Sequence, residues 1–288
     1  MNNLDLRPLS VGEILDRTFT IYRNYFVVFI GISAIPQLLV LALNLAQVAV
    51  LAPAGFPTPG ARGVAAPPLS SVGSIASYLV LAVLALVVTF IALILSQGAT
   101  VVAVSEIYLG RTITIGDSFR RVRGELGTIF GVMFLNGLAT FVGLLFLIVP
   151  GIYVMCRLIV GIPAALLENL GSRAAVERSW QLTKDSAGRA FLVFLLYFSL
   201  AMAASMLFAV PFQMAILLVK GNPSLILVFM GLAQVGTFIA NVLVVPVMTI
   251  ASSILYYDLR VRKEAFDLQV MMAPLVGPVT GGVPKAIA

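Results

Sequence analysis

Apolar side chains dominate this chain from Phe26 onward, gathered into long runs with short polar intervals between them. A helix needs roughly 20 mostly apolar residues to cross a bilayer, and on that rule the pattern predicts six spans. They run about 26–52, 74–97 (with helix continuing to 109), 127–149, 151–168, 190–219 and 225–257. The fold class is therefore all-α: a polytopic membrane protein whose six transmembrane helices form three hairpins. Residues 1–272 make one membrane domain. The segment PAGFPTPGARGVAAPPLSS at 53–71 lacks apolar periodicity and reads as an irregular loop. The tail 273–288 reads as disordered. Pro150 and Gly151 in Val149-Pro150-Gly151-Ile152 predict a tight turn between the third and fourth spans.

Composition agrees: of 288 residues, 60% are hydrophobic and 10% charged, with mean hydropathy +1.08. A soluble domain carries about 25% charged residues, so a soluble core does not account for this chain. There are no histidines and one cysteine, Cys156. Intrachain disulfides and histidine-based metal sites are thereby excluded. No cofactor or metal is expected.

The charges fall on one side. Arg7, Arg17, Arg23, Arg111, Arg120, Arg121, Arg123, Arg173, Arg178, Lys184, Arg189, Arg260, Arg262, Lys263 and Lys285 share a face of the predicted topology. Arg62 and Lys220 lie on the other, and Arg157 lies inside a span. The positive-inside rule then places both termini in the cytoplasm and the chain in a bacterial inner membrane. All 12 acidic residues lie on that same side. The pI near 9.7 thus reflects topology, and no nucleic-acid partner is expected.

Before the first span, LSVGEILDRTFTIYRNYF at 9–26 is neither a leader peptide nor a span. Ser10 and Glu13 form a capping box, and Val11, Ile14, Leu15, Thr18, Phe19 and Tyr22 share one helical face. This predicts an amphipathic helix at the cytoplasmic interface. Ser10–Arg17 aligns with Thr114–Arg121 before the third span, and Leu15–Asn24 with Val176–Asp185 before the fifth. The expectation is three units, each an amphipathic helix followed by a two-span hairpin. A fourth such segment closes the chain, with Tyr257, Val261, Ala265, Leu268 and Met272 on one face. Trp180, the only tryptophan, suits an interfacial anchor.

LSVGEILDRTFTIYRNYF, the VPGI turn, AAVERSWQL and SILYYDLRVRKEAFDL together resemble the membrane domain found ahead of some bacterial glycerophosphoryl diester phosphodiesterases and related stand-alone membrane proteins. In those enzymes the chemistry belongs to a separate soluble barrel using carboxylates, a divalent metal and histidines. This chain has no histidine, so the resemblance implies a membrane domain without that activity.

Arg157 is the most informative single residue, since an arginine within a span costs about 2.5–3.5 kcal/mol on insertion scales. Either its side chain snorkels to the outer interface, or it forms a polar pocket for an anion or headgroup with Asn44, Gln47, Gln213 and Gln234. Glu168 is too far along the helix to pair with Arg157 and is expected to pair with a base that follows it. Glu106 reads as a solvated interfacial carboxylate. Cys156 reads as a small apolar filler, and Gly127–Gly131 as a GxxxG helix contact. Pro36, Pro211 and Pro246 each can kink a span. Arg17, Arg178, Arg260 and Arg262 are candidates for docking a partner. Histidine triads, HExxH and P-loops are absent, so no catalytic residue is assigned. The expected role is a scaffold or accessory membrane subunit whose partners are the bilayer and a membrane or cytoplasmic protein. The alternative is a transporter of lipid or anion built around Arg157.

Overall fold

The computed structural model describes residues 8–51, 72–219 and 222–264, and among them every regular element is helical. The helices are α1 (Val11–Asn24), α2 (Phe26–Leu51), α3 (Val72–Tyr108), α4 (Ile115–Val122), α5 (Leu126–Phe146), α6 (Ile148–Arg157), α7 (Gly161–Leu167), α8 (Ser172–Leu182), α9 (Ala187–Phe208), α10 (Val210–Leu218) and α11 (Pro223–Glu264). A 3-10 turn, Arg123–Glu125, joins α4 to α5. Six stretches are long and apolar enough to cross a membrane: Phe26–Ala49, Ala76–Tyr108, Ile115–Phe146, Ile148–Leu167, Ala187–Phe208 and Ser224–Glu264. The predicted loop at 53–71, the predicted tail and residues 265–272 of the closing segment lie outside the described residues.

The chain divides into two compact units. One comprises Met1–Ile32, Ile94–Tyr197 and Val245–Ala288; the other comprises Ser33–Leu93 and Phe198–Val244. The first unit has the deeper core, and its axis is the end of α11. Every residue from Ile250 to Val261 is buried, including Ser252, Ser253, Asp258 and Arg260. A helix buried on all sides cannot lie at an interface with one wet face. The closing segment, expected to be amphipathic from Tyr257, is instead the central post of the unit as far as Val261.

Local sequence explains the helix starts. Ser10 accepts the Glu13 amide while Glu13 Oε2 accepts the Ser10 amide at 2.7 Å, a reciprocal cap. Thr114 accepts the Asp117 amide in the same way, whereas α8 begins at Gly171 with no side-chain cap. The aligned segments also bury matching positions: Ile14 and Thr18, Ser118 and Val122, Ala175 and Ser179.

The breaks differ from those expected. The turn before the fourth span is Leu147 alone, in extended conformation, and Pro150 sits in the first turn of α6, where no amide hydrogen is needed. Gly151 does not supply a positive φ; it lets the backbone of α6 close on Gly143 of α5, where a Cβ would meet Leu144. The fourth span itself breaks over Leu158–Val160, and the Leu158 carbonyl accepts both the Gly161 amide and the Asn136 side-chain amide of α5, each at 3.2 Å. The fifth span breaks at Ala209, and Pro211 falls in the first turn of α10. Gly236 in the same unit accommodates that break, since a Cβ there would overlap the Phe208 carbonyl. Pro36 and Pro246, by contrast, lie inside uninterrupted helices. Of the predicted GxxxG, only Gly131 meets a neighbour: Ser172, whose hydroxyl donates to the Thr128 carbonyl at 3.0 Å.

Candidate functional site

Ionisable side chains in the first unit gather around the end of α11 in three clusters. Asp258 is the most buried acid, its side chain 0% exposed. It accepts the Leu9 amide at 2.7 Å, Arg189 at 2.7 Å and Arg262 at 3.0 Å. Both arginines also donate to the Leu9 carbonyl, at 3.1 and 2.6 Å. One carboxylate and two guanidinium groups therefore clamp the chain just before α1 to the start of α9 and the end of α11.

A second cluster joins α7, α8 and α11. Arg178 pairs with Glu168 at 2.8 Å and with Glu264 at 2.5 Å. Arg260 pairs with Glu264 at 3.0 Å and stacks over the Tyr256 ring, whose hydroxyl donates to Glu168 at 2.8 Å. Burial works against the charge on Arg178, yet its hydrogen bonds to Glu168 and Glu264 hold its pKa above the ordinary arginine value. Glu168 thus pairs with the base that follows it, as its spacing from Arg157 implies. The Lys263 ammonium adds a link to α8, donating to the Gln181 and Lys184 carbonyls at its end.

The third cluster surrounds Glu106 near the end of α3. Glu106 is buried, not solvated as its position suggests, and it pairs with Arg121 at 2.7 Å and Arg111 at 3.8 Å. Nearby, Tyr108 stacks on Tyr257 with centroids 4.8 Å apart, Tyr257 donates to Ser105, and Arg17 donates to the Tyr108 hydroxyl at 3.2 Å. All four arginines considered for docking are engaged inside the unit: Arg17 with Tyr108, Arg178 and Arg260 with Glu168 and Glu264, and Arg262 with Asp258 and Leu9.

Arg157 is held within the first unit. Its side chain runs to α8, where Nη2 donates to the Trp180 carbonyl at 2.5 Å and Nη1 to the Tyr153 hydroxyl at 3.2 Å. The guanidinium carbon lies 4.5 Å from the centroid of the Trp180 ring and 5.7 Å from that of Tyr153. Its own carbonyl, freed by the break after α6, accepts from Ser179 at 2.9 Å and Thr183 at 2.8 Å. Helix α8 also carries Arg173, 91% exposed, and Glu177, 62% exposed, and charges so exposed do not sit in hydrocarbon. The Arg157 side chain therefore reaches toward the helix that carries these exposed charges.

The remaining residues of the predicted pocket belong to the other unit. There Gln47 donates to the Leu81 carbonyl at 3.1 Å, Gln213 is exposed, and Asn44 and Gln234 are half-buried. Among the described residues no group of His, Cys, Asp and Glu is placed to hold a metal ion. Sequence reasoning missed Asp258 and Arg189, the tightest cluster, because nothing local in FDL- or YYDLR-type stretches says which acid will be surrounded. It also missed Asn136, whose signal was available: a lone amide in an otherwise apolar span. No family model, no curated protein and no solved structure matches this chain.

Proposed function

We propose that this chain is a non-catalytic integral membrane protein of the bacterial inner membrane, acting as a scaffold or accessory subunit with both termini in the cytoplasm. The observation that carries the reading is the saturation of the carboxylates around the end of α11 by arginines. Asp258, Glu106, Glu168 and Glu264 are each held by one or more arginines. Carboxylate oxygens taken up by guanidinium groups in this way are not presented to a substrate. The clusters fasten the ends of helices to one another, which suits a platform that keeps its shape.

This reading includes the three repeated units, each an interfacial helix followed by a hairpin, supported by the matching buried positions in α1, α4 and α8. It also keeps the resemblance to the membrane domain of glycerophosphoryl diester phosphodiesterases, as an architecture without the enzyme's barrel. The docking surface is reassigned. Because Arg178, Arg260 and Arg262 fasten the unit internally, the charges presented to a partner are Arg120, 75% exposed, and Arg173, 91% exposed.

The test is extraction of the tagged protein from its own membrane in mild detergent, followed by native mass spectrometry. A stoichiometric protein partner is expected, lost on Arg120→Glu with Arg173→Glu while the thermal midpoint holds. A chain that always emerges alone, with and without these substitutions, contradicts the scaffold.

A further inference from the structure

Arg157 is the one buried cation described above that no carboxylate answers. It is 6% exposed, its Nε has no hydrogen-bond partner, and among the described residues it makes no ion pair. Each neighbouring buried charge is paired within 4 Å. An uncompensated charge in a packed site is costly, and such charges are normally paired or bound to a ligand. The second orphan among the described side chains, Asn136 Oδ1, flanks the same break between α6 and α7.

The groups in front of the guanidinium fit an oxyanion. Tyr153 is 48% exposed and Trp180 41% exposed, so each keeps a free surface while its ring lies against the Arg157 guanidinium. The Tyr153 hydroxyl accepts from Arg157, which leaves its own proton to donate elsewhere. The Trp180 indole N–H has no acceptor among the described residues. Two donors on partly exposed aromatic residues thus stand beside a fixed positive charge at helix α8. That is the depth at which lipid phosphates lie, and where Trp and Tyr are enriched.

We infer that Arg157, Tyr153 and Trp180 form a binding site for the phosphate of an anionic phospholipid from the surrounding membrane. The two donors take the phosphate oxygens, and Arg157 supplies the charge from behind without direct exposure. Binding answers the orphaned charge and fastens α6 to α8 through the ligand. The site is independent of the scaffold reading, since a bound lipid requires no protein partner.

Trp180 is the only tryptophan, so intrinsic fluorescence reports on this site alone. Detergent-solubilised protein is titrated separately with phosphatidylglycerol, with diacylglycerol of the same chains, and with inorganic phosphate. Phosphatidylglycerol is expected to change Trp180 emission saturably, and diacylglycerol is not. Inorganic phosphate that reproduces the change and competes with the lipid supports the oxyanion site with a soluble source; phosphate without effect supports the lipid source. Charge-assisted hydrogen bonds predict that Arg157→Gln weakens phosphatidylglycerol by about tenfold or more. Tyr153→Phe, which keeps the cation and the packing, is expected to weaken it by about fivefold, the loss of one hydrogen bond. Equal responses to phosphatidylglycerol and diacylglycerol, or unchanged affinity in Tyr153→Phe and Arg157→Gln, overturn the inference. Tyr153→Phe and the diacylglycerol control decide the matter if Arg157→Gln does not fold.

Discussion

Replacing Asp258 by Asn removes one negative charge from the clamp and turns one of its two acceptor oxygens into a donor. The amide keeps an acceptor for the Leu9 N–H, now 2.7 Å from Oδ1. What is lost is the charge that holds Arg189 and Arg262, at 2.7 and 3.0 Å, because Oδ2, which accepts from both, becomes an NH2 that cannot accept. Hydrogen bonds to a charged group exceed neutral ones by about 1 kcal/mol each, so two arginines give about 2 kcal/mol. The two guanidinium groups are 26% and 32% exposed, so water partly compensates them and the full 3–5 kcal/mol of a broken buried pair is not reached. At 1.4 kcal/mol per factor of ten, local opening at Leu9 becomes roughly 30-fold more frequent. Hydrogen–deuterium exchange resolved at the Leu9 amide measures this directly. The helix Ala187–Phe208 beyond Tyr197, in the other unit, serves as an internal control and is expected to exchange as before. Unchanged protection of Leu9 in a folded Asp258→Asn protein would refute the clamp.

Other substitutions separate the clusters. Glu106→Gln is expected to cost about 1 kcal/mol, less than Asp258→Asn, because its partners Arg121 and Arg111 are 53% and 46% exposed and well screened; thermal midpoints of the two variants in one detergent give the order. Tyr256→Phe removes the hydrogen bond to Glu168 and should lose about 1 kcal/mol by the same assay. Gly143→Val forces α5 away from α6 at the point where Gly151 packs on it, with an expected loss of about 1–3 kcal/mol, read as reduced monodisperse yield by size exclusion. Gly236→Ala meets the Phe208 backbone and should be tolerated no better.

Apolar run length carried most of the architecture: six candidate spans are found where the runs lie, and the cap at Ser10 and Glu13 forms as the residues imply. Helix breaks were harder to place. Pro150 and Gly151 signal a turn, but the chain turns three residues earlier, because proline is equally content in a first helical turn and glycine equally useful for close packing. Leu158–Val160 breaks just ahead of Pro163, which cannot donate to the Ile159 carbonyl, and Asn136 and α8, both remote in sequence, bond the carbonyls at the break. The candidate site suffered from the same blindness. Counting positions along one helix put Arg157 near an outer surface, whereas α8 packs beside α7 and takes the arginine for itself. The arginines read as a docking face follow a rule that holds on isolated helices, that charges off the apolar face meet water. Around a central helix such as α11, every face meets protein.

The account turns on the charged helix ends lying together on the cytoplasmic side of the bilayer. Cysteine labelling in intact cells tests it, with buried Cys156 replaced by Ala and single cysteines placed at Arg173 on α8 and at Arg62 in the loop between the first two spans. A membrane-impermeant maleimide added outside is expected to label the cysteine at position 62 at once, and the one at 173 only after the cells are opened. Labelling at 173 from outside, with 62 silent until lysis, would contradict the orientation and with it the cytoplasmic platform.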